Sequence, residues 1–316
     1  MAAALRLGLI GAGRWGRNYI RTVASLPEVR LVRLASRNPD GAMPVPADCA
    51  IFADWRELLD PRALDGVIVA TPPRLHAEMA SRAIDAGLPV LVEKPLTMDV
   101  AEAHSLRDHA RELGVFAMVD HVHLFSPAYR MLKSIQPRYG AIRAIHGEAG
   151  NYGPYRPDVP VLWDWGAHDV AMCLDLVGAM PTRTGATVLE RKSLEGGIGE
   201  TIRVELAFPN GAGASLRLSN LMQKCRRFAV ACERASLVYD DLAAQKLVVT
   251  EGGSGRAIEI GDDLPLGIAV SEFAEAIAAR SRDTTSLELG VRVVEVLAAC
   301  APAASSGSLL WPTGSG

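Results

Sequence analysis

Over the first third of the chain, short apolar runs alternate with amphipathic stretches, the pattern of buried parallel strands joined by helices. Residues 5–10, 29–36, 66–71, 89–92 and 115–119 read as strands. Tyr19, Ile20, Val23 and Leu26 recur at helical spacing after the first of them. Helices are also predicted over 75–86, stopped by Gly87, and over 100–114. Such βα alternation predicts a parallel sheet with helices on both faces. Its right-handed crossovers place all strand-end loops on one edge, where ligands bind. Beyond about residue 122 the rhythm changes. Residues 127–135 and 163–178 read as helices and 141–149 as a strand, with a Gly/Pro-rich loop at 150–160. Strand-like runs then follow at 184–190, 201–208, 212–218, 227–231, 235–239 and 246–250, with a turn signal at Pro209-Asn210-Gly211. Segments 270–279 and 290–299 read as helices.

The fold class expected is α/β plus α+β: an N-terminal Rossmann domain with a doubly wound parallel sheet, then a domain on a mostly antiparallel open sheet. The boundaries expected are 1–121 for the NAD(P)-binding domain, 122–304 for the substrate-binding and oligomerisation domain, and 305–316 for a loosely held tail.

Composition narrows the function classes. The 316 residues are 49% hydrophobic and 22% charged, enough to bury sizeable cores, and the net charge of −3 gives no basic surplus for nucleic acid or an anionic membrane. No apolar run approaches the roughly 18 residues of a membrane span, and, with the first strand beginning at Leu5, no cleavable leader is expected. The five cysteines are scattered with no C-x-x-C, so buried thiols in a cytoplasmic protein are expected rather than disulfides or a metal site.

The most informative motif is Gly11-Ala12-Gly13-Arg14-Trp15-Gly16, lying between a predicted strand and a predicted helix. In a G-x-G-x-x-G turn the first glycine allows the tight bend, the second lets a pyrophosphate approach the backbone, and the third lets helix and strand pack closely. The helix N-terminus then faces the phosphates. An NAD-preferring site usually has a carboxylate about 20 positions further on. Here the second strand ends Leu34-Ala35-Ser36-Arg37. A hydroxyl and a guanidinium suit a 2′-phosphate, so NADP is the expected cofactor, with NAD the alternative if Arg37 discriminates little. Asp40 lies too far into the loop to serve as the acidic partner.

Three further stretches, Ala70-Thr71-Pro72-Pro73 with His76, Glu93-Lys94-Pro95, and Trp163-Asp164-Trp165-Gly166-Ala167-His168-Asp169, follow in order. With the glycine turn, the whole series resembles the glucose–fructose oxidoreductase / inositol dehydrogenase / rhizopine-catabolism (Gfo/Idh/MocA) family over almost the entire chain. The surroundings of His121 and the 162–169 stretch look closest to members acting on sugars or nucleotide sugars. The resemblance implies Lys94, Asp164 and His168 as catalytic residues, a cis bond before Pro95, and a homodimer or homotetramer built through the open sheet. The cofactor site expected comprises Gly11, Gly13, Arg14, Trp15, Gly16, Ser36, Arg37, Thr71, Pro72, His76, Glu93, Lys94 and Pro95.

The chemistry also follows from residue types. Oxidising a secondary alcohol needs a hydride acceptor, supplied by nicotinamide, and a group for the hydroxyl proton. A lysine at a strand's carboxyl end can polarise the reacting oxygen. A histidine titrates near working pH, and Asp164, one helical turn before His168, falls on the same face. The plainer readings are a solvated lysine, an N-capping aspartate and a core histidine. Substrate hydroxyls are assigned to Lys94, His121, Asn151, Tyr152, Asp164 and His168. Polar residues at 151–156 equally suit a solvated loop, and His76 equally suits a cap. His121 and His123, two apart in an extended segment, lack a convincing third ligand, so no metal is expected. Lys224 with Arg226-Arg227 reads as a solvated face. Two rivals share this fold: a nucleotide-sensing regulator without turnover, and a glycosidase that recycles its bound nicotinamide.

Overall fold

The computed structural model describes residues 3–37 and 45–306. Asp40 and the tail beyond residue 306 lie outside the described residues. The chain forms two compact units: one runs through Phe125 and takes in Asp263–Val294, the other spans Ser126–Asp262 and the chain from Glu295.

The first unit is built on six strands, β1 (Leu5–Ile10), β2 (Val29–Ala35), β3 (Ala50–Phe52), β4 (Gly66–Val69), β5 (Val90–Glu93) and β6 (Ala117–Asp120), in the order β3-β2-β1-β4-β5-β6. Every pairing is parallel. β4, β5 and β6 are buried at every position because helices cover both faces, so they read as continuous apolar runs rather than alternating ones. Strand order reverses between β1 and β4, which puts the ligand crevice at the carboxyl ends of those two strands.

Helix α1 (Gly16–Ser25) buries Tyr19, Ile20 and Val23. Helix α2 (His76–Asp85) follows β4, and α3 (Val100–Leu113) is capped by Asp99, which accepts from the Glu102 amide at 2.9 Å, and stopped by Gly114 at φ 64°. The late helix that the sequence predicts at 270–279 starts earlier, over Pro265–Ala278. It packs in this unit, with Phe273 on Phe116 at a ring separation of 6.2 Å.

The second unit opens on a helix at Pro127–Ile135 (α4), as the sequence predicts, and continues through β7 (Ile142–Tyr152), α5 (Val161–Asp164) and α6 (Gly166–Val177). Strands β8 (Arg183–Leu194), β9 (Gly197–Ala207), β10 (Gly213–Ser219), β11 (Leu221–Cys232), β12 (Ala235–Asp240), β13 (Leu247–Glu251) and β14 (Ser254–Ala257) follow. Helices α7 (Pro265–Ala278) and α8 (Thr285–Ser306) end the chain's described part.

The eight strands order as β14-β13-β12-β11-β7-β10-β9-β8. All are antiparallel except β7 with β10, which a crossover brings alongside in parallel. The Asn210-Gly211 turn joins β9 to β10, with Gly211 at φ 83°. Alternate residues on β12 are buried, as expected of a sheet covered on one face. The five cysteines are free thiols, and among the described residues no helix is long and apolar enough to cross a membrane.

Two local expectations need correction. The single helix expected over 163–178 is divided into α5 and α6 at Trp165, and the turn tightens there, with the His168 amide donating to the Trp165 carbonyl three residues back. The extended segment expected around His121 and His123 ends at Asp120, and Val122–Phe125 is a 3₁₀ turn, so the two histidines do not share a strand face.

Candidate active site

The glycine turn closes on backbone. Gly11 has φ 103°, and a Cβ there would lie 2.4 Å from the Ala70 carbonyl oxygen at the end of β4. A Cβ on Gly16 would lie 2.0 Å from the Gly11 carbonyl oxygen, whereas one on Gly13 would meet nothing within 4 Å. The first and third glycines are therefore required by the chain itself, and the second faces open space. Arg14 and Trp15 are exposed, and Trp15, at the N-cap of α1, makes no side-chain cap. An open backbone at Gly13 beside an uncapped helix N-terminus fits a dinucleotide pyrophosphate. Ser36 is half-buried at the end of β2, its amide donating to Phe52 at 3.0 Å, and Arg37 beside it is exposed.

At the next two strand ends, His76 is a strut. It is fully buried, with Nδ1 2.9 Å from the Pro95 carbonyl and Nε2 2.8 Å from the Thr71 carbonyl, so it ties the turn after β4 to the turn after β5. Burial, with Lys94 nearby, lowers its pKa against the pull of those carbonyls. The side chain caps no helix end, and Thr71 and Pro72 beside it are half-buried. The Lys94–Pro95 bond is cis.

Lys94 is half-buried, with its charge felt by His76, Glu93, Asp120 and His121. Glu93 does not reach outward. Its carboxylate oxygen Oε1 lies 2.9 Å from the Tyr19 hydroxyl, which is also 2.5 Å from Asp120 Oδ2, and all three side chains are buried. Sequence reading took Tyr19 only as an apolar helix position. His121 is 2% exposed, and neither ring nitrogen has a hydrogen-bond partner. Burial, then Lys94, pushes its pKa down to about 3, so the ring is a neutral imidazole.

In the second unit, Asp164 ends α5 and is half-buried, with Arg156 Nη1 3.9 Å from its Oδ1. It is not a helix cap, since Trp165 occupies the N-cap position of α6. His168 is half-buried in the first turn of α6. Asn151, at the end of β7, donates through Nδ2 to the backbone carbonyls of Tyr152 and Gly153, and Tyr152 is 67% exposed.

The basic pair on β11 is not simply a solvated face. The Arg226 guanidinium lies 3.9 Å over the Trp165 ring, donates to the Gly150 carbonyl at 2.8 Å, and interacts electrostatically with Asp164 and Asp169. Strand alternation puts Arg226 and Arg227 on opposite faces, the signal that would have separated them.

Asp169 is 2% exposed, and burial outweighs Arg226 to push its pKa up to about 7. A carboxyl raised on folding keeps its proton where the unfolded chain has lost it, so it costs stability progressively from about pH 4 to about pH 7. Asp169→Asn removes that cost. At about pH 8 the variant is expected to be more stable than the parent by on the order of 4 kcal/mol, with the gain gone below about pH 4. Denaturant melts across pH check this, and a gain independent of pH would contradict the assignment.

A family profile described as "Oxidoreductase family, NAD-binding Rossmann fold" matches residues 5–121, and one described as "GFO/IDH/MocA C-terminal domain" matches residues 135–238. A solved oxidoreductase structure from Magnetospirillum magnetotacticum MS-1 is 48% identical, with a TM-score of 0.89 over 94% of this chain and 99% of that one. The UDP-N-acetylglucosamine 3-dehydrogenase of Acidithiobacillus ferrooxidans is 27% identical over 87% of this chain and 89% of its own. Its structure gives a TM-score of 0.84 over 97% of this chain and 99% of that one. KijD10, a 3-ketoreductase from Actinomadura kijaniata solved with NADP and TDP-benzene, shares the fold at 22% identity and a TM-score of 0.82, over 95% of this chain and 98% of that one.

Proposed function

The chain belongs to the Gfo/Idh/MocA family of NAD-binding oxidoreductases, and from that premise we propose that it moves a hydride between NADP and a secondary alcohol or ketone carbon of a nucleotide sugar. Lys94, Asp164 and His168 are the groups that handle the reacting oxygen and its proton. The observation that carries this reading is Lys94 at the carboxyl end of β5, on the sheet edge where the glycine turn ends β1. The substrate class rests on the end-to-end likeness to the UDP-N-acetylglucosamine 3-dehydrogenase.

Bound nicotinamide supplies the hydride acceptor or donor. Gly11, Gly13 and Gly16, with Arg14 and Trp15, receive the pyrophosphate side. Thr71 and Pro72 form the wall after β4, His76 ties that wall to the turn after β5 from behind, and Glu93 and Pro95 fix the backbone around Lys94. The Lys94 ammonium donates to the reacting oxygen, which favours alkoxide character in oxidation and polarises the carbonyl in reduction. His168 takes or returns the hydroxyl proton, and Asp164 orients the imidazole or a neighbouring substrate hydroxyl. His121, with one donor and one acceptor nitrogen, and Asn151 and Tyr152 bind further hydroxyls.

A panel of UDP-sugars, free sugars and inositols with NADP⁺, followed by absorbance of the reduced nicotinamide, tests this. UDP-sugar turnover is expected, and turnover confined to inositols would overturn the substrate class. Substrate consumption without net reduction would indicate in-place recycling instead.

Ser36 and Arg37 carry the cofactor preference. Losing a charge-assisted contact to the 2′-phosphate costs about 1.5–3 kcal/mol, so Arg37→Ala should lower the NADPH-to-NADH affinity ratio by about tenfold to a hundredfold. An unchanged ratio would refute that role.

A second copy of the chain is proposed to cover the outer face of the eight-stranded sheet, where Val248, Val238 and Ala229 lie in one row across β13, β12 and β11. Sedimentation velocity at working concentration decides between a dimer or tetramer and a monomer.

A further inference from the structure

Three buried polar groups lie behind Lys94, and the mechanism above assigns them no proton. Glu93 and Asp120 are register partners on adjacent parallel strands, so their carboxyl groups lie side by side, and Tyr19 reaches both from α1. The tyrosine hydroxyl is 2.9 Å from Glu93 Oε1 and 2.5 Å from Asp120 Oδ2. Proton counting constrains this arrangement. A phenol carries one proton and donates one hydrogen bond, and its oxygen accepts a second only from a group that has a proton to give. Two ionised carboxylates have none, so both contacts are hydrogen bonds only when one carboxyl stays protonated.

The surrounding charges favour the same count. The groups facing the cluster are Lys94 just after β5, His121 after β6 and His76 on α2. Burial and Lys94 hold the His121 ring neutral; burial also lowers the His76 pKa, against its two carbonyl contacts, which are both hydrogen bonds only in the imidazolium. Two full negative charges against the Lys94 ammonium would leave buried carboxylates repelling each other, whereas one matches it.

We propose that Tyr19, Glu93 and Asp120 hold one shared proton, so that the cluster presents a single negative charge behind Lys94 and serves as its positioning counter-charge. The inference rests on the reading of Lys94 as the group that meets the substrate oxygen. Tyr19 and Asp120 are then positioning residues that act through Lys94. Burial raises both carboxyls, Asp120 to about 6 and Glu93 well above its usual range, in keeping with one proton retained at neutral pH.

Infrared difference spectroscopy of the full chain, wild type minus Asp120→Asn at neutral pH, reads the shared proton directly. The wild type should show the carbonyl stretch of a neutral carboxyl that the variant lacks, because the amide replaces the proton-sharing partner and Glu93 then carries the single charge. Asp169, the other carboxyl strongly raised by burial, cancels in the difference. Absence of that band from the difference spectrum, because both forms lack it or both keep it, overturns the proposal.

Tyr19→Phe gives an independent reading if Asp120→Asn does not fold. The neutral-carboxyl band should shift on losing its phenol partner, and an unmoved band overturns the bridge. With UDP-sugar turnover as a second readout, the alkaline limb of the kcat/KM profile should stay in place in Asp120→Asn, since the charge behind Lys94 is conserved. A limb moved to lower pH would show that two charges stood there before. Near-normal turnover by Lys94→Ala would count against the Lys94 reading alone and would leave the infrared result standing.

Discussion

Lys94→Ala and His168→Ala are each expected to lower kcat/KM by roughly two to three orders of magnitude while the fold persists. The size follows from the roles. Removing a preorganised donor to a developing oxyanion costs about 10²–10³ in rate, and removing a general base costs about 10²–10⁴. The fold should survive because both side chains are only half-buried, and neither belongs to the cores formed by residues such as Leu9, Ile68 and Phe273 or Ile145, Val170 and Leu216. The two losses should differ with pH. The deficit of His168→Ala in the oxidative direction should shrink as hydroxide replaces the missing base, whereas Lys94→Ala keeps its deficit because the oxygen still lacks its donor. Steady-state kinetics across pH, with a thermal melt of each variant, checks this, and near-normal turnover in both would remove the assignment.

Gly16→Ala is expected to have the second largest effect, through the backbone. The added methyl would sit 2.0 Å from the Gly11 carbonyl oxygen and 2.9 Å from its carbon, and no rotamer change moves either atom. Helix α1 must lift away from the turn, which also displaces Tyr19 from Glu93 and Asp120. A destabilisation of about 3 kcal/mol is expected, with nicotinamide affinity reduced at least about a hundredfold.

Gly13→Ala is the informative contrast. Its methyl would meet nothing within 4 Å, so the protein alone should keep its stability. Dinucleotide affinity should still fall, because the methyl occupies the approach to the backbone. Wild-type affinity in Gly13→Ala would show that the pyrophosphate does not come this way.

Much of the fold was legible because it depends on local patterns. The apolar runs of β1, β4 and β5, the glycines after β1 and the Asn210-Gly211 turn each carry their own signal. What was not legible depends on which segments meet. Tyr19 has helical spacing and reads as core, and only the pairing of Glu93 with Asp120 shows that its hydroxyl bridges two carboxyls. Arg226 looked solvated beside Arg227 until the pairing of β11 with β7 laid it over Trp165. The break at Trp165 is marked only by Gly166 beside it, a weak signal inside a helical pattern, and the Trp165 backbone itself stays in the α region. His76 offered a cap or a site role from sequence, and its actual contacts, the carbonyls of Thr71 and Pro95, come from two turns far apart in the chain.

Titrating the purified protein with NADPH and NADH, followed by nicotinamide fluorescence, tests the central claim most directly. The account predicts saturable binding of both, with NADPH at least about tenfold tighter through Ser36 and Arg37. Binding of neither would contradict a nicotinamide-dependent oxidoreductase and leave the glycine turn without its ligand.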